Sequence, residues 1–278
     1  MPRLSLLAIG HCARDEFPDG RWRLGGSALY GAATAARLGA EVSLVTRVGP
    51  AERDALGSAC ASFGIALHAL PSPVTTTFAF QWDADGRRVL HLRARAVPLK
   101  LADVPPVLRR AGALLLASIA RELDRSLFAP LTGSTSVLSA QGLLRAWTAD
   151  GLVVPHRWED AARLLPRVDA VVVSEEDGAD IAEWLPYTTV IETHAERGAD
   201  LRRGSQMVHI PAFPAARQVD PTGAGDAFAA AYAVARSEGS APIDAARFAS
   251  ATASFAVEGW GMAGLAERTR VEERLRGG

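Results

Sequence analysis

The chain has 278 residues, 49% apolar and 22% charged, a composition that suits an ordinary globular protein able to bury a large core without staples. Its 30 basic and 31 acidic residues leave a net charge of −1, which gives no electrostatic footprint for nucleic acid or an anionic membrane. Two cysteines, Cys12 and Cys60, make no disulfide framework and point to a reducing cytoplasm, and no apolar run approaches the ~20 residues of a spanning helix.

In chain order, Leu4–Ile9 reads as a first buried strand. A single Arg precedes it and a glycine turn follows, unlike a signal core. Arg21–Leu24 is a short extended piece before a double glycine. Ser27–Leu38 predicts an alanine-rich helix ending at Gly39, Val42–Thr46 a strand, and Ala51–Phe63 a helix ending at Gly64. Over Thr75–Ala96, Phe78, Phe80 and Trp82 alternate with Thr77, Ala79 and Gln81. A turn at Asp83-Ala84-Asp85-Gly86 then predicts a hairpin returning through Val89–Arg95. Ala113–Ala117 and Ser136–Ser139 are apolar strands, Trp158–Leu165 a helix stopped by Pro166, and Ala170–Val173 and Val190–Thr193 strands again. Arg197–Ile210 reads as another hairpin, turning at Arg203-Gly204-Ser205, and a helix runs from about Asp226 to Arg236. Strands apolar throughout belong in a parallel sheet covered on both faces. The alternation therefore predicts an α/β, three-layer, doubly wound, mainly parallel sheet. Its organisation is a single domain over 1–278, with a small β-sheet lid from about 17–24 and 75–96.

The chemistry concentrates at Asp220-Pro221-Thr222-Gly223-Ala224-Gly225-Asp226-Ala227-Phe228, at a helix start. Glycines there let backbone N–H groups approach an anion, and the helix dipole favours negative charge. Asp226 has two readings: a helix cap, or a base beside a phosphate-sized nest. There is no GxxxxGK[ST], and Phe228 takes the third glycine place of GxGxxG, so neither a P-loop nor a dinucleotide fold fits.

This stretch resembles the C-terminal signature of the ribokinase-like (PfkB) family of carbohydrate kinases. The resemblance extends to Gly25-Gly26-Ser27-Ala28 with its helix, Val45–Gly49, Ala170–Asp177, Val190–Gly198 and the final helices. It implies transfer from ATP, with Mg²⁺, to a small-molecule hydroxyl. Asp226 would be the general base, and the Gly223, Ala224 and Gly225 amides would hold the transferring phosphoryl group. Asp220 and Thr222 match positions that order the loop with a monovalent cation, K⁺ among the candidates. Ser174 and Asp177 stand in an Asn-x-x-Glu element; Asp177 would hold Mg²⁺ through water, and a capping box is the plain alternative. Thr193 and Gly198 match a nucleotide loop in which Ala195 replaces a glycine. Trp260 and Gly261 lie where relatives wrap the adenosine.

On the acceptor side the resemblance assigns Asp15, Gly25, Gly26 and Tyr30. Ala13 and Tyr30 replace two amide side chains, which argues against ribose and keeps inositol and nucleoside acceptors open. Arg145 is open to either an anionic substrate or a surface role. A homodimer through the lid is an assembly compatible with the family. A nucleotide-binding protein that has lost turnover is the rival class, favoured by the altered positions 30, 174, 177 and 195.

Overall fold

The fold was analysed in a computed structural model, which describes residues 4–82, 88–128 and 135–277. The elements are β1 (Ser5–Ile9), β2 (Ala13–Glu16), β3 (Trp22–Gly25), α1 (Ser27–Arg37), β4 (Glu41–Val48), α2 (Arg53–Ser62), β5 (Ala66–Pro71), β6 (Thr76–Trp82) and β7 (Arg88–Ala94). There follow β8 (Ala113–Ala117), β9 (Thr135–Ser139), β10 (Arg145–Trp147), β11 (Val153–Pro155), α3 (Ala161–Leu164), β12 (Ala170–Ser174) and β13 (Thr189–Thr193). The chain continues through β14 (Ala199–Arg203), β15 (Gln206–Ile210), α4 (Ala224–Ser237), α5 (Pro242–Ala256) and α6 (Arg268–Gly277).

A nine-stranded sheet has the order β15-β14-β13-β12-β9-β8-β1-β4-β5. The strands from β13 to β5 pair in parallel, and the β14–β15 hairpin closes one edge antiparallel. The order reverses at β1, whose neighbours are β4 and β8. Open α/β sheets bind ligands outside the carboxyl ends of their strands at such a switch point.

One face carries the predicted helices. α4 is buried along most of its length because its alanines let it lie close to the sheet, α1 and α5. The other face is thin. Its crossovers are 3₁₀ turns at Arg125–Phe128 and Gln141–Leu144 and the four-residue α3. The helix expected over Trp158–Leu165 is therefore shortened to Ala161–Leu164. Pro166 sits within a 3₁₀ turn, where it cannot donate to a continuing helix. Trp158 instead fills the layer, with its ring 6.2 Å from Phe128 and 5.9 Å from Trp184.

The accessory sheet has the order β3-β2-β6-β7. Its expected boundaries need one correction: Ala13–Glu16 is a strand of it, whereas Phe17 and the residues before Trp22 form the turn. Phe78, Phe80 and Leu92 pack its inner face onto Ile119 and Ala120 of the main body. The Leu92 amide also donates to the Gly151 carbonyl at 2.8 Å. The turn expected at Asp83-Ala84-Asp85-Gly86 lies outside the described residues.

Candidate active site

The anion loop begins where Val219 and Asp220 donate their amides to the Val257 carbonyl, at 2.8 and 3.2 Å. Asp220 Oδ1 accepts the Thr222 amide at 3.0 Å, which turns the chain toward α4. Gly223 is the N-cap, with φ +85°, and no side chain caps the helix. No side chain claims the amides of this helix start, as an anion site requires, although the Ala224 amide reaches the Pro221 carbonyl at 3.3 Å. The two glycines flanking Ala224 do different work. A Cβ on Gly223 would stand 2.2 Å from Tyr30 Cδ1, whereas a Cβ on Gly225 would meet no heavy atom within 4 Å. Gly223 is demanded by the fold; at Gly225 the missing side chain leaves open the space in front of the helix.

Asp226 lies in the first turn, three residues after the cap, so the cap reading falls away. Its residue keeps some contact with solvent while protein encloses the carboxyl from most directions, as at the floor of a cleft. Burial pushes this carboxyl above the ordinary aspartate value. Hydrogen bonds from Ser27 and Ser139 and the charge of Arg145 oppose the shift, and Asp177 reinforces it. Ser27 opens α1 and Ser139 ends β9, so this carboxyl is held by two elements far apart in sequence.

Asp177 faces the same space. Its Oδ2 accepts the Ser174 amide at 3.0 Å, while Ser174 Oγ accepts the Glu176 amide at 3.2 Å. The capping box is thus formed, around a 3₁₀ turn. Burial pushes the Asp177 carboxyl up, against the Ser174 amide, Arg145 and Gln141. Arg145, half-buried at the start of β10, exerts its charge on both carboxylates. Two carboxylates facing one guanidinium leave negative charge in the cleft, and Asp177 offers a hard oxygen; this donor set fits Mg²⁺.

On the nucleotide side, Thr193 ends β13 and donates to the Val173 carbonyl at 3.4 Å. Ala195, in the family's glycine position, has φ +50°, so the backbone keeps the glycine conformation without the glycine. Gly198 has φ +96°, and a Cβ there would stand 2.1 Å from the Ile210 carbonyl oxygen, which is a demand of the β14–β15 packing. Glu175 bridges this loop: it accepts from Arg197 and meets His194 Nδ1 at 3.0 Å. Glu192, His194 and Asp200 bring ligand atoms within 4.8 Å of one another. Arg202 and His209 already hold Asp200, at 3.0 and 2.8 Å.

The acceptor side departs most from expectation. Asp15 on β2 is 4% exposed, and its carboxyl lies where a Cβ on Gly25 would be, at 2.3 Å. Gly26 has φ +95°, with the His11 carbonyl 2.7 Å from its missing Cβ. Both positions thus require glycine for packing against Asp15 and the His11–Ala13 backbone. Tyr30 does not present a ring to an open pocket: it is 1% exposed, packed on Gly223, and its hydroxyl makes no hydrogen bond. Trp260 and Gly261 make contacts toward the lid and the anion loop. The Trp260 ring lies tilted against Phe17, centroids 5.4 Å apart, and the Gly261 amide donates to Asp220 Oδ2 at 3.1 Å. Between them runs Arg23 of β3, which the motifs did not single out. Its guanidinium pairs with Asp220, and its Nε lies 3.7 Å from Asp15 Oδ2. Asp220 therefore already has a cation, and it does not fit as a K⁺ ligand.

A model of the pfkB family carbohydrate kinases matches residues 150–267. The inositol 3-kinase of Zea mays is 35% identical over 190 residues, covering 64% of this chain and 49% of the relative, so the chain spans about half of that protein's length. A pyrophosphate-dependent kinase in the ribokinase family, complexed with a pyrophosphate analog and myo-inositol, superposes with a TM-score of 0.80 at 21% identity, over 97% of this chain and 100% of the other. The ribokinase of Arabidopsis thaliana, complexed with ribose and ATP, does so at 0.75 and 21%, over 99% of each chain. The resemblance carried by residues 220–228 thus agrees with a matched segment and a shared fold: residues 150–267 are those of a pfkB family carbohydrate kinase, and the chain has the ribokinase fold.

Proposed function

We propose that the chain transfers a phosphoryl group from ATP to a hydroxyl of a small polyol, an inositol in preference to ribose. The observation that carries this reading is the Asp226 carboxyl, pushed up by burial and set in the first turn of a helix whose start no side chain caps.

In this mechanism Asp15 holds a hydroxyl of the acceptor, and the backbone at Gly25 and Gly26 lies against its ring. Asp226 accepts the proton of the attacking hydroxyl; its raised pKa makes it a better proton acceptor than a solvated aspartate. Ser27 and Ser139 orient that carboxylate. The Gly223, Ala224 and Gly225 amides receive the phosphoryl oxygens as charge shifts, and donors of this kind contribute ~10²–10³ in rate. Ser174, Thr193 and Gly198 border the donor. A divalent cation held through water by Asp177 would supply charge neutralisation on the donor phosphates. Phe17, Phe80 and Trp260 make the lid an apolar cover against water, which otherwise competes as acceptor.

Asp177→Ala should raise the Mg²⁺ concentration needed for half-maximal rate while leaving the saturated rate closer to normal. A Mg²⁺ titration identical to that of the unaltered protein would reduce Asp177 to its capping-box role.

The acceptor preference rests on missing donors. Ala13 offers no side-chain hydrogen bond, and Tyr30 is turned into the protein. Each unpaired polar group on ribose costs ~1–3 kcal/mol, so two losses lower kcat/KM by ~10²-fold or more. Phosphorus NMR of products from a panel of inositols, D-ribose and nucleosides, each with ATP and with pyrophosphate, tests the whole reading. We expect an inositol phosphate with ATP as the better donor. Pyrophosphate is included because Trp260, the aromatic assigned to adenine, is engaged by the lid. No product from any acceptor overturns the kinase reading, and D-ribose as the best acceptor overturns the pocket.

A further inference from the structure

The relatives' signature asks for a cation beside Asp220, and in this chain one is covalently present. The Asp220 carboxylate is buried, and its partners are the Thr222 amide on Oδ1 and the Gly261 amide and Arg23 Nη1 on Oδ2. A monovalent cation added to those oxygens would have to sit against a guanidinium, and like charges at that range repel. Arg23 is also held in place. Its guanidinium carbon lies 5.3 Å from the Phe17 ring centre and 4.5 Å from that of Trp260, with 12% of its side chain exposed. The two rings lie 5.4 Å apart and the guanidinium rests against both, a contact that a planar organic cation favours and a hydrated metal ion does not.

We infer that Arg23 is a positioning residue that does the work of the monovalent cation, holding the Asp220–Gly225 loop in its anion-binding shape and making the protein independent of K⁺. The inference rests on the kinase reading only for its rate measurements. Arg23 touches no reacting atom in this arrangement. It acts through Asp220, whose two oxygens set the turn at Thr222 and the seat of Gly261. Because Arg23 belongs to β3, the cation arrives on the lid. Its Nε, which makes no hydrogen bond of its own, points toward Asp15 at 3.7 Å. Lid, acceptor carboxylate and phosphate loop are thus joined through one side chain.

The test compares the unaltered protein, Arg23→Met and Arg23→Lys in K⁺, Na⁺ and tetramethylammonium chlorides at matched ionic strength. Thermal midpoints are read for all, and rates with the best acceptor of the panel. The unaltered protein should give flat midpoints and flat rates. Arg23→Met, close in volume and without charge, should lose ~10–10²-fold in kcat through a displaced loop. It should also acquire a midpoint and a rate that rise with K⁺ but not with tetramethylammonium. Arg23→Lys, which restores a cation, should show no K⁺ response. A K⁺-activated unaltered protein, or an Arg23→Met protein flat in both readouts, overturns the inference. If Arg23→Met does not fold, a K⁺ response in Arg23→Lys overturns it and a flat one supports it. If no acceptor is turned over, the kinase reading has failed, while the midpoint series still decides the role of Arg23.

Discussion

Asp226→Asn should lower kcat by ~10²–10⁴ with little change in donor affinity, and should raise the thermal midpoint near neutral pH. The first effect is loss of a general base. Asn has the same shape and can still accept from Ser27 or Ser139 through its one oxygen, but it cannot take the proton of an attacking hydroxyl. The second effect follows from the raised pKa. The folded protein binds the Asp226 proton more tightly than the unfolded chain does, so the ionised carboxylate costs stability. That cost is absent below the ordinary aspartate value. It grows as pH rises through the interval up to the raised folded value, and stays constant above it. The variant's gain in midpoint should therefore vanish in acid and persist from neutral pH upward. The rate of the unaltered protein should rise with pH as the same carboxyl loses its proton. Steady-state kinetics and midpoints over a pH series check both halves. An Asn variant with normal turnover removes Asp226 from the chemistry.

A loss of stability, in contrast, is expected one turn earlier. Gly223→Ala forces a side chain into φ +85° and to 2.2 Å from the Tyr30 ring. Tyr30 is 1% exposed and has nowhere to withdraw. Left-handed strain of ~1–2 kcal/mol and overpacking of ~1–3 kcal/mol together predict a loss of ~2–5 kcal/mol. Gly225→Ala is the contrast. Its Cβ enters open space inside a helix, where Ala is favoured over Gly by ~0.5–1 kcal/mol. Stability should hold or rise, while the rate falls because a methyl group stands where phosphate approaches. Denaturant melts and kinetics on both variants separate the roles. A Gly225→Ala protein of full activity would remove the open space from the phosphate site, and a Gly223→Ala protein of normal stability would refute the packing argument.

The sequence made the central sheet legible wherever a strand was buried on both faces, as in β8 and the Ala170–Val173 run of β12, because only such strands are apolar without interruption. It hid β2, whose Arg14 and Glu16 carry the polar side of a lid strand, and β5, a half-buried edge strand. β10 and β11 are too short for any period to register. The extended piece at Arg21–Leu24 and both hairpins were readable from alternation and turn residues. Within the site, the glycine nest and Asp226 were legible because their spacing is local. Ser27 opens a helix and Ser139 closes a strand, and neither place in the sequence signals a role. Their bonds to Asp226 are made across the fold and leave no local pattern. The same holds for Arg23, one arginine among many until the lid is laid over Asp220. Tyr30 stood in the right helix, but nothing in the sequence told that its ring would turn inward against Gly223.

The bond between Arg23 and Asp220 spans 197 residues of chain. During synthesis from the N-terminus the lid strands and the acceptor carboxylate emerge first, and the loop that answers them emerges near the end. Contacts of such separation are the slow ones, because the chain must lose the freedom of a long loop before they return anything. Until Asp220 and Trp260 arrive, Arg23 has Asp15 beside it and only one of its two ring contacts, Phe17. The Asp220 loop therefore takes its final shape late in folding, when Arg23 finds its distant partner. On the proposed function, an incompletely made chain would carry the grip for the acceptor without the means to react it.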